Sequence, residues 1–377
     1  MTGAAVWGVG TSEFGRFPGR SPEDLVAEAT AEALTAAGVE PAEIEAVVVG
    51  NVFGPSGVAA RAARAAGVSH GPVIRVEAAC ASGTLAVHSA AQAVAEGRYG
   101  RVLAVGVEHL SARFDGAIEP ERSDAEGGQG LPLPGLYALQ AHRYLHVHRR
   151  DPAELAAVAV KNRAQGSLND RAHRRHPVTT EEVLGSRMIA DPLTVLQCCP
   201  LSDGAAAAVL GPPRAGRPDV PVLASVYVGG QAWPAAPDEP WSVACIRRAA
   251  REAEAGAGLR LAEADLFEVH DAFTIGEVLS LEALGLCRPG ESLDLLHDGV
   301  FSSGGRRPVN LSGGLLARGH ALGATGVAQV AEVVWQLTGK AGARQLGAPK
   351  LGVVETMGGG AAGLDGNAAA VLVLGHA

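Results

Sequence analysis

The chain has 377 residues, enough for two or three domains or for one large duplicated architecture. Hydrophobic residues make up 47% and aromatic residues only 4%, so the core is ample but packed mainly by Ala, Val and Leu. The net charge of −9 argues against a dedicated nucleic-acid binder, and no apolar run reaches the ~18–20 residues that a membrane span needs.

In chain order, residues 5–9 read as a strand. Ser21-Pro22-Glu23-Asp24 opens a helix, with Ser as cap, Pro in the first turn and acids at the positive end of the dipole. Gly38 ends it. Residues 44–49 are continuously apolar, as in a strand buried on both faces, so strand, helix and strand predict a parallel sheet. Residues 73–76 read as a strand, 78–83 as a small-residue elbow, the Ala-rich stretch to Ala95 as a helix, and 102–107 as a strand. An echo follows near the C-terminus: an elbow at 319–326, a helix through Leu337 and a strand at 351–354. Two units of one grammar predict a duplicated α/β architecture. Residues 110–200 are richer in charge and His and read as an insertion on the first unit; residues 212–221 are the candidate linker.

Cys80, at the start of a predicted buried helix, is the sharpest chemical candidate. Backbone N–H groups and the helix dipole would stabilise its thiolate and lower its pKa. A buried structural thiol is the competing reading. His320 opens the second elbow with a pKa range suited to a general base, against a loop His satisfied by backbone. His270-Asp271-Ala272-Phe273 follows the apolar run 266–269, at the carboxyl edge of a strand where open α/β sheets place their sites; a strand-capping turn is the alternative. Met357-Gly358-Gly359-Gly360 could offer N–H groups to an oxyanion or form a plain tight turn. The five cysteines (Cys80, Cys198, Cys199, Cys245, Cys287) include no CxxC pair, so a metal site is not expected and a reduced cytoplasmic enzyme is. The first residues lack the charged and apolar regions of a secretion signal. The His/Arg-rich stretch 142–176 fits a solvated, phosphate-contacting or oligomer-facing surface. Gly8-x-Gly10 lacks the third glycine of a dinucleotide fingerprint.

Together these residues resemble the thiolase superfamily, and within it the sterol-carrier-protein-2-type thiolases. The resemblance rests on the His270 and Cys80 segments, Glu282-Ala283-Leu284-Gly285-Leu286-Cys287, Asn310-Leu311-Ser312-Gly313-Gly314, Gly319-His320-Ala321-Leu322-Gly323-Ala324-Thr325-Gly326, and Cys199-Pro200-Leu201-Ser202-Asp203-Gly204. It implies two βαβαβαββ halves, 1–215 and 216–377, in a five-layer αβαβα sandwich, with 110–200 as the inserted loop domain and a homodimer as the usual assembly. It assigns Cys80 as acyl-accepting nucleophile, His320 as its activator, and His270 as the residue that orients the oxyanion-hole water. The N–H groups of Cys80 and Gly359 would form a second oxyanion hole. Ala272, Phe273, Met357, Gly358 and Ser312 would line the substrate and coenzyme A path. The implied substrate is a coenzyme A or acyl-carrier-protein thioester, with no permanently bound cofactor and no nucleic-acid partner.

The departures bear on function. The family's second cysteine, an acid/base for the substrate α-carbon, would stand at 357 or 272, where this chain has Met357 and Ala272. The expectation is an acyltransferase that passes the acyl group to an activated carbon or heteroatom nucleophile. Three alternatives stand beside it. One is a thiolase-like aldolase acting on β-hydroxyacyl-CoA with a small OB-fold partner. Another is a non-catalytic acyl-CoA-binding subunit. The last is a conventional thiolase in which Glu355, or a water held by His270, replaces the missing thiol.

Overall fold

The computed structural model describes residues 3–118, 121–233, 239–359 and 362–376. In the N-terminal half the strands are β1 (Ala5–Thr11), β2 (Ala46–Gly50), β3 (Val73–Val76), β4 (Val102–His109) and, after a helical segment with the small hairpin β5 (Met188–Ala190) and β6 (Leu193–Thr194), β7 (Asp203–Gly211). The C-terminal half contributes β8 (Val220–Gly229), β9 (Leu266–Glu268), β10 (Leu351–Gly358) and β11 (Ala368–Gly375). The residues form these elements for local reasons. Ser21 and Asp24 make the expected reciprocal cap on the Pro22–Ala37 helix, and Gly38 closes it at φ 64°. β2 is apolar and buried at every position. Gly8 and Gly10 carry no nucleotide loop: a Cβ on either would lie 2.4 Å from a carbonyl oxygen of that helix, so they let β1 and the helix touch.

The sheet order is β3-β2-β4-β7-β1-β8-β11-β10-β9. From the β1–β8 junction outward, each half runs first strand, last strand, fourth strand, second strand. The third strand of the C-terminal half is reduced to one parallel bridge, Phe267 to Val309. The predicted duplication is therefore present as mirrored strand order. The halves join edge to edge through Ala5–Pro221 and Val6–Val220, which puts the end of the expected linker, residues 220–221, inside β8.

The Ser82–Ala95 and Leu322–Leu337 helices each pack against strands of both halves, so they form the middle layer. The Pro22–Ala37 helix covers the outer face of the first half and the Val243–Ala257 helix that of the second, giving the five layers. The middle layer is closed by glycine. A Cβ on Gly326 would sit 1.9 Å from Thr84 Oγ1, one on Gly83 2.6 Å from the Gly323 carbonyl oxygen, and one on Gly106 2.2 Å from that same oxygen. Among the described residues no helix is long and apolar enough to cross a membrane.

The packing predicts that Gly326→Ala destabilises the fold by about 1–3 kcal/mol or more through overpacking. Gly185→Ala, where a Cβ meets nothing within 4 Å, changes stability by under about 0.5 kcal/mol. Urea midpoints at unchanged slope measure both.

Candidate active site

The elbow before the Ser82–Ala95 helix is a strained turn. Ala79 has φ 47°, unusual for a residue with a Cβ and worth roughly 1–2 kcal/mol of strain. Ser82 holds it, accepting the Ala78 N–H at 2.9 Å and donating to the Ala79 carbonyl at 2.6 Å. The turn sets Cys80 at the helix entrance with 7% of its surface exposed. The main-chain N–H groups of Gly359 and Cys80 interact with the sulfur and draw its pKa down, but burial outweighs them and pushes the thiol up to about 12. The expected thiolate is thus corrected: the dipole and N–H groups are in place, and desolvation is the larger effect.

The second elbow brings an imidazole to the sulfur. Gly319 has φ 109°, a conformation suited to glycine, and a Cβ there would strike Ser202 Oγ at 2.4 Å. His320 follows, its Nε2 3.2 Å from Cys80 Sγ and its Nδ1 2.7 Å from Thr325 Oγ1. Thr325 donates its single hydroxyl proton to the Ala321 carbonyl at 3.1 Å. That network assigns the proton to His320 Nδ1, which donates to Thr325, and leaves the Nε2 lone pair to accept from the thiol. Burial, with His270 and Arg318 nearby, lowers the His320 pKa well below the usual range, so the imidazole is neutral at pH 7.

His270 follows the end of β9, its ring edge-on to that of His320 with centroids 5.4 Å apart. Burial and the Arg318 charge bring its pKa down to about 3. Its main-chain N–H donates to Glu355 Oε2 at 2.9 Å. Cys80 Sγ and one ring nitrogen from each of His270 and His320 lie within 4.8 Å of one another, the single metal-capable cluster among the described residues. Asp271, the neighbour of His270, is structural: it accepts the Leu315 and Leu316 N–H groups and Asn162 Nδ2, fixing the loop that leads to His320. Buried Lys161 and Glu277, 3.0 Å apart, lock the same region, with Asn310 donating to Glu277.

The remaining expected residues divide. Phe273 stacks on Tyr137 at 4.4 Å, and Trp241 meets Tyr137 edge-on at 5.9 Å. Met357, 2% exposed, belongs to the same apolar cluster, as does Ala272. A Cβ on Gly359 would face the Trp241 ring at 3.3 Å, and one on Gly358 would strike the Ala78 carbonyl oxygen at 2.4 Å, so β10 ends against the Cys80 elbow. Gly360 lies outside the described residues. Ser312 is not brought to this cluster: it is buried, and its hydroxyl donates to Glu268 Oε2 at 2.6 Å. The 142–176 stretch is dispersed. His142 pairs with Asp191 at the surface, while His173 bonds Ser202 beneath the second elbow. Tyr137 and Trp241 carried no sequence signal, being single aromatics far from either elbow. Thr325 stood inside a quoted motif, and only the geometry gives it a task.

Two family models cover nearly the whole chain: the thiolase N-terminal domain over residues 4–213 and the thiolase C-terminal domain-like family over 234–376. The chain is 40% identical to an acetyl-CoA acetyltransferase of Methanothermobacter thermautotrophicus, over 95% of this chain and 97% of that one. It is 34% identical to sterol carrier protein 2 of Gallus gallus, over 95% of this chain and 70% of that one. Among solved structures, the Ltp2-ChsH2(DUF35) aldolase superposes with a TM-score of 0.85 at 26% identity, over 99% of this chain and 98% of that one. With both halves of the family matched in order, and two elbows of one grammar meeting at Cys80 and His320, the chain belongs to the thiolase family.

Proposed function

We propose that the protein forms an acyl-Cys80 thioester from a coenzyme A or carrier-bound thioester and passes the acyl group to a nucleophile that is already activated. The 3.2 Å contact between a neutral His320 and the Cys80 thiol carries this reading. As sulfur attacks the thioester carbonyl, Nε2 takes the thiol proton. When the bond to coenzyme A breaks, the same proton goes to the departing sulfur. Negative charge on the carbonyl oxygen is met by the N–H groups of Cys80 and Gly359 and by the positive ends of the two middle-layer helices. Ala272, Phe273, Met357 and Gly358, with Tyr137 and Trp241, supply an apolar wall for the acyl group; Ser312 has no part in it. Ala272 and Met357 carry no proton, which favours acceptors that need no thiol base: a decarboxylating malonyl unit, an electron-rich phenol or a heteroatom. The coenzyme A thioester is substrate, and the scheme needs no resident cofactor.

A second reading is favoured by the likeness to the Ltp2-ChsH2(DUF35) aldolase together with the absence of a thiol at 272 and 357. In it the protein cleaves or forms β-hydroxyacyl-CoA with a small OB-fold partner protein, and Cys80 stays unacylated. Retro-aldol products without an acyl-Cys80 adduct would establish that reading over the first.

We also propose a division near residues 215–216, between β7 and β8, and a homodimer formed at β3. β3 is a free edge of the nine-stranded sheet, with Val73 37% and Ile74 46% exposed, whereas the opposite edge, β9, is flanked by residues 308–310. A second copy pairing strand to strand fits that edge.

Intact-mass measurement after incubation with acyl-CoA is expected to give one acyl adduct, absent in Cys80→Ala; an adduct that persists in that variant refutes the reading. Thr325→Val is expected to slow acylation about tenfold or more by releasing the His320 tautomer. Because His320 works as the neutral base and its pKa lies below the ordinary value of about 6.5, acylation should stay level as pH falls from 8 to 6.5 and decline only below that. Single-turnover rates test this; half-loss at pH 6.5 contradicts it. Ile74→Lys is expected to shift sedimentation from dimer to monomer.

A further inference from the structure

Two buried polar atoms beside the site have no hydrogen-bond partner among the described residues: Glu355 Oε1 and His270 Nδ1. Unpartnered buried atoms are rare and call for an explanation such as a water or a proton-transfer role. These two belong to groups already tied together, since the His270 main-chain N–H holds the other carboxylate oxygen at 2.9 Å. The carboxyl is thereby held against the main chain of the residue that carries the imidazole. Glu355 itself is fully buried on β10, two residues before Met357 and so on the same face of the strand. Its neighbours include Ser280, whose hydroxyl favours the ionised form. Burial raises its pKa to about 7, the range of a general base at neutral pH. Asp271 and Glu268, by contrast, each accept hydrogen bonds on both carboxylate oxygens.

We infer that Glu355, acting through His270 and one bridging water, takes the α-proton of the bound acyl thioester, the step for which positions 272 and 357 hold no thiol. The inference rests on the acyl-CoA reading above and deepens it: the chain would itself activate a carbon acid. The α C–H bond breaks, and its electron pair forms the enolate, whose oxygen is held by the N–H groups of the site. The proton enters His270 at Nε2; the proton on Nδ1 leaves through the water to the carboxylate. His270 ends neutral in its other tautomer, and Glu355 ends as a carboxylic acid. Glu355 is thus a positioning and proton-holding residue, one group removed from the substrate.

The groups facing the pair come from four other segments, Cys80, Tyr137, Cys245, and Arg318 with His320, and from Asp271 beside His270 itself. Burial keeps Cys80 near 12, Cys245 near 11 and Tyr137 well above 10, and holds His320 well below 6.5. Arg318 supplies a positive charge that lowers the His270 pKa. Asp271 is raised to about 7, so a neutral-pH titration alone would not distinguish it from Glu355.

The experiment follows α-deuterium incorporation in D2O into whichever acyl-CoA acylates Cys80, with acylation measured by intact mass in the same samples. Wild-type exchange is expected to rise with pH through about 7, because the acceptor is the carboxylate. In Glu355→Gln, exchange should fall about 10²-fold, lose that rise, and fall far more than acylation does. Glu355→Asp should restore part of it. Exchange unchanged in Glu355→Gln overturns the proposal, as does an equal fall in exchange and acylation. A flat wild-type profile overturns it whether or not the variant folds. Acylation without exchange in the wild type removes the Glu355 role and leaves the acyl-transfer reading standing; absence of both removes the two together.

Discussion

Backbone-to-backbone contact at the centre of the molecule sets everything else. Gly83, Gly106, Gly323 and Gly326 leave no room for a Cβ between the middle-layer helices and the strand beside them. Close approach of that kind suits an interior built from Ala, Val and Gly rather than aromatics. Because the two helices start at the same end, the residues just before each of them, Cys80 and His320, arrive side by side although 240 positions separate them in the chain. The Cys80–His320 contact is a by-product of helix packing, held in place by the mass of the fold.

The same burial that fixes the geometry sets the charge state. Desolvation moves thiol and imidazole in opposite directions, so the resting pair is an acid and a base that both stay neutral. The countervailing features, two main-chain N–H groups on the sulfur and two helix ends, are in the proposed scheme the groups that meet the charge of an attacked thioester carbonyl. An arrangement of this kind favours the transition state more than the free thiolate. Behind it, Asp271, Lys161, Glu277 and Asn310 form a buried polar network that joins the loop segment to the C-terminal half. It holds the loops, and the Asp271 carboxyl within it is pushed up first by burial and then by the neighbouring Glu277 charge.

Much of the fold was legible in the sequence because its signals are local. The Ser21 cap, Gly38, the apolar runs of β2 and β4 and the small-residue elbows each report their own neighbourhood, and the repeated grammar exposes the duplication. Cys80, His270 and His320, which the structure brings within 4.8 Å of one another, were singled out the same way, as polar residues at ends of apolar elements. What the local signals missed has one cause. The Cys80 thiol was expected to be acidified, since dipole and N–H groups can be read from a helix start, whereas the depth of burial depends on both halves together. Tyr137 reaches the site from a helix and Trp241 from the turn before another, and no periodicity marks them. Ser312 lies in a recognisable motif, but its hydroxyl is taken by Glu268, a pairing across 44 positions that no local pattern discloses.

Ala79 holds a left-handed backbone one residue before the nucleophile, and the thiol it presents is kept protonated by its surroundings. Oxidants and electrophiles attack the thiolate far faster than the thiol. In the acyl-transfer scheme proposed above, the sulfur anion is released only when a carbonyl is already in place, which guards it against sulfenic acid formation and stray alkylation between turnovers. Its durability under oxidative stress then comes from the same dry interior that gives it reactivity on demand.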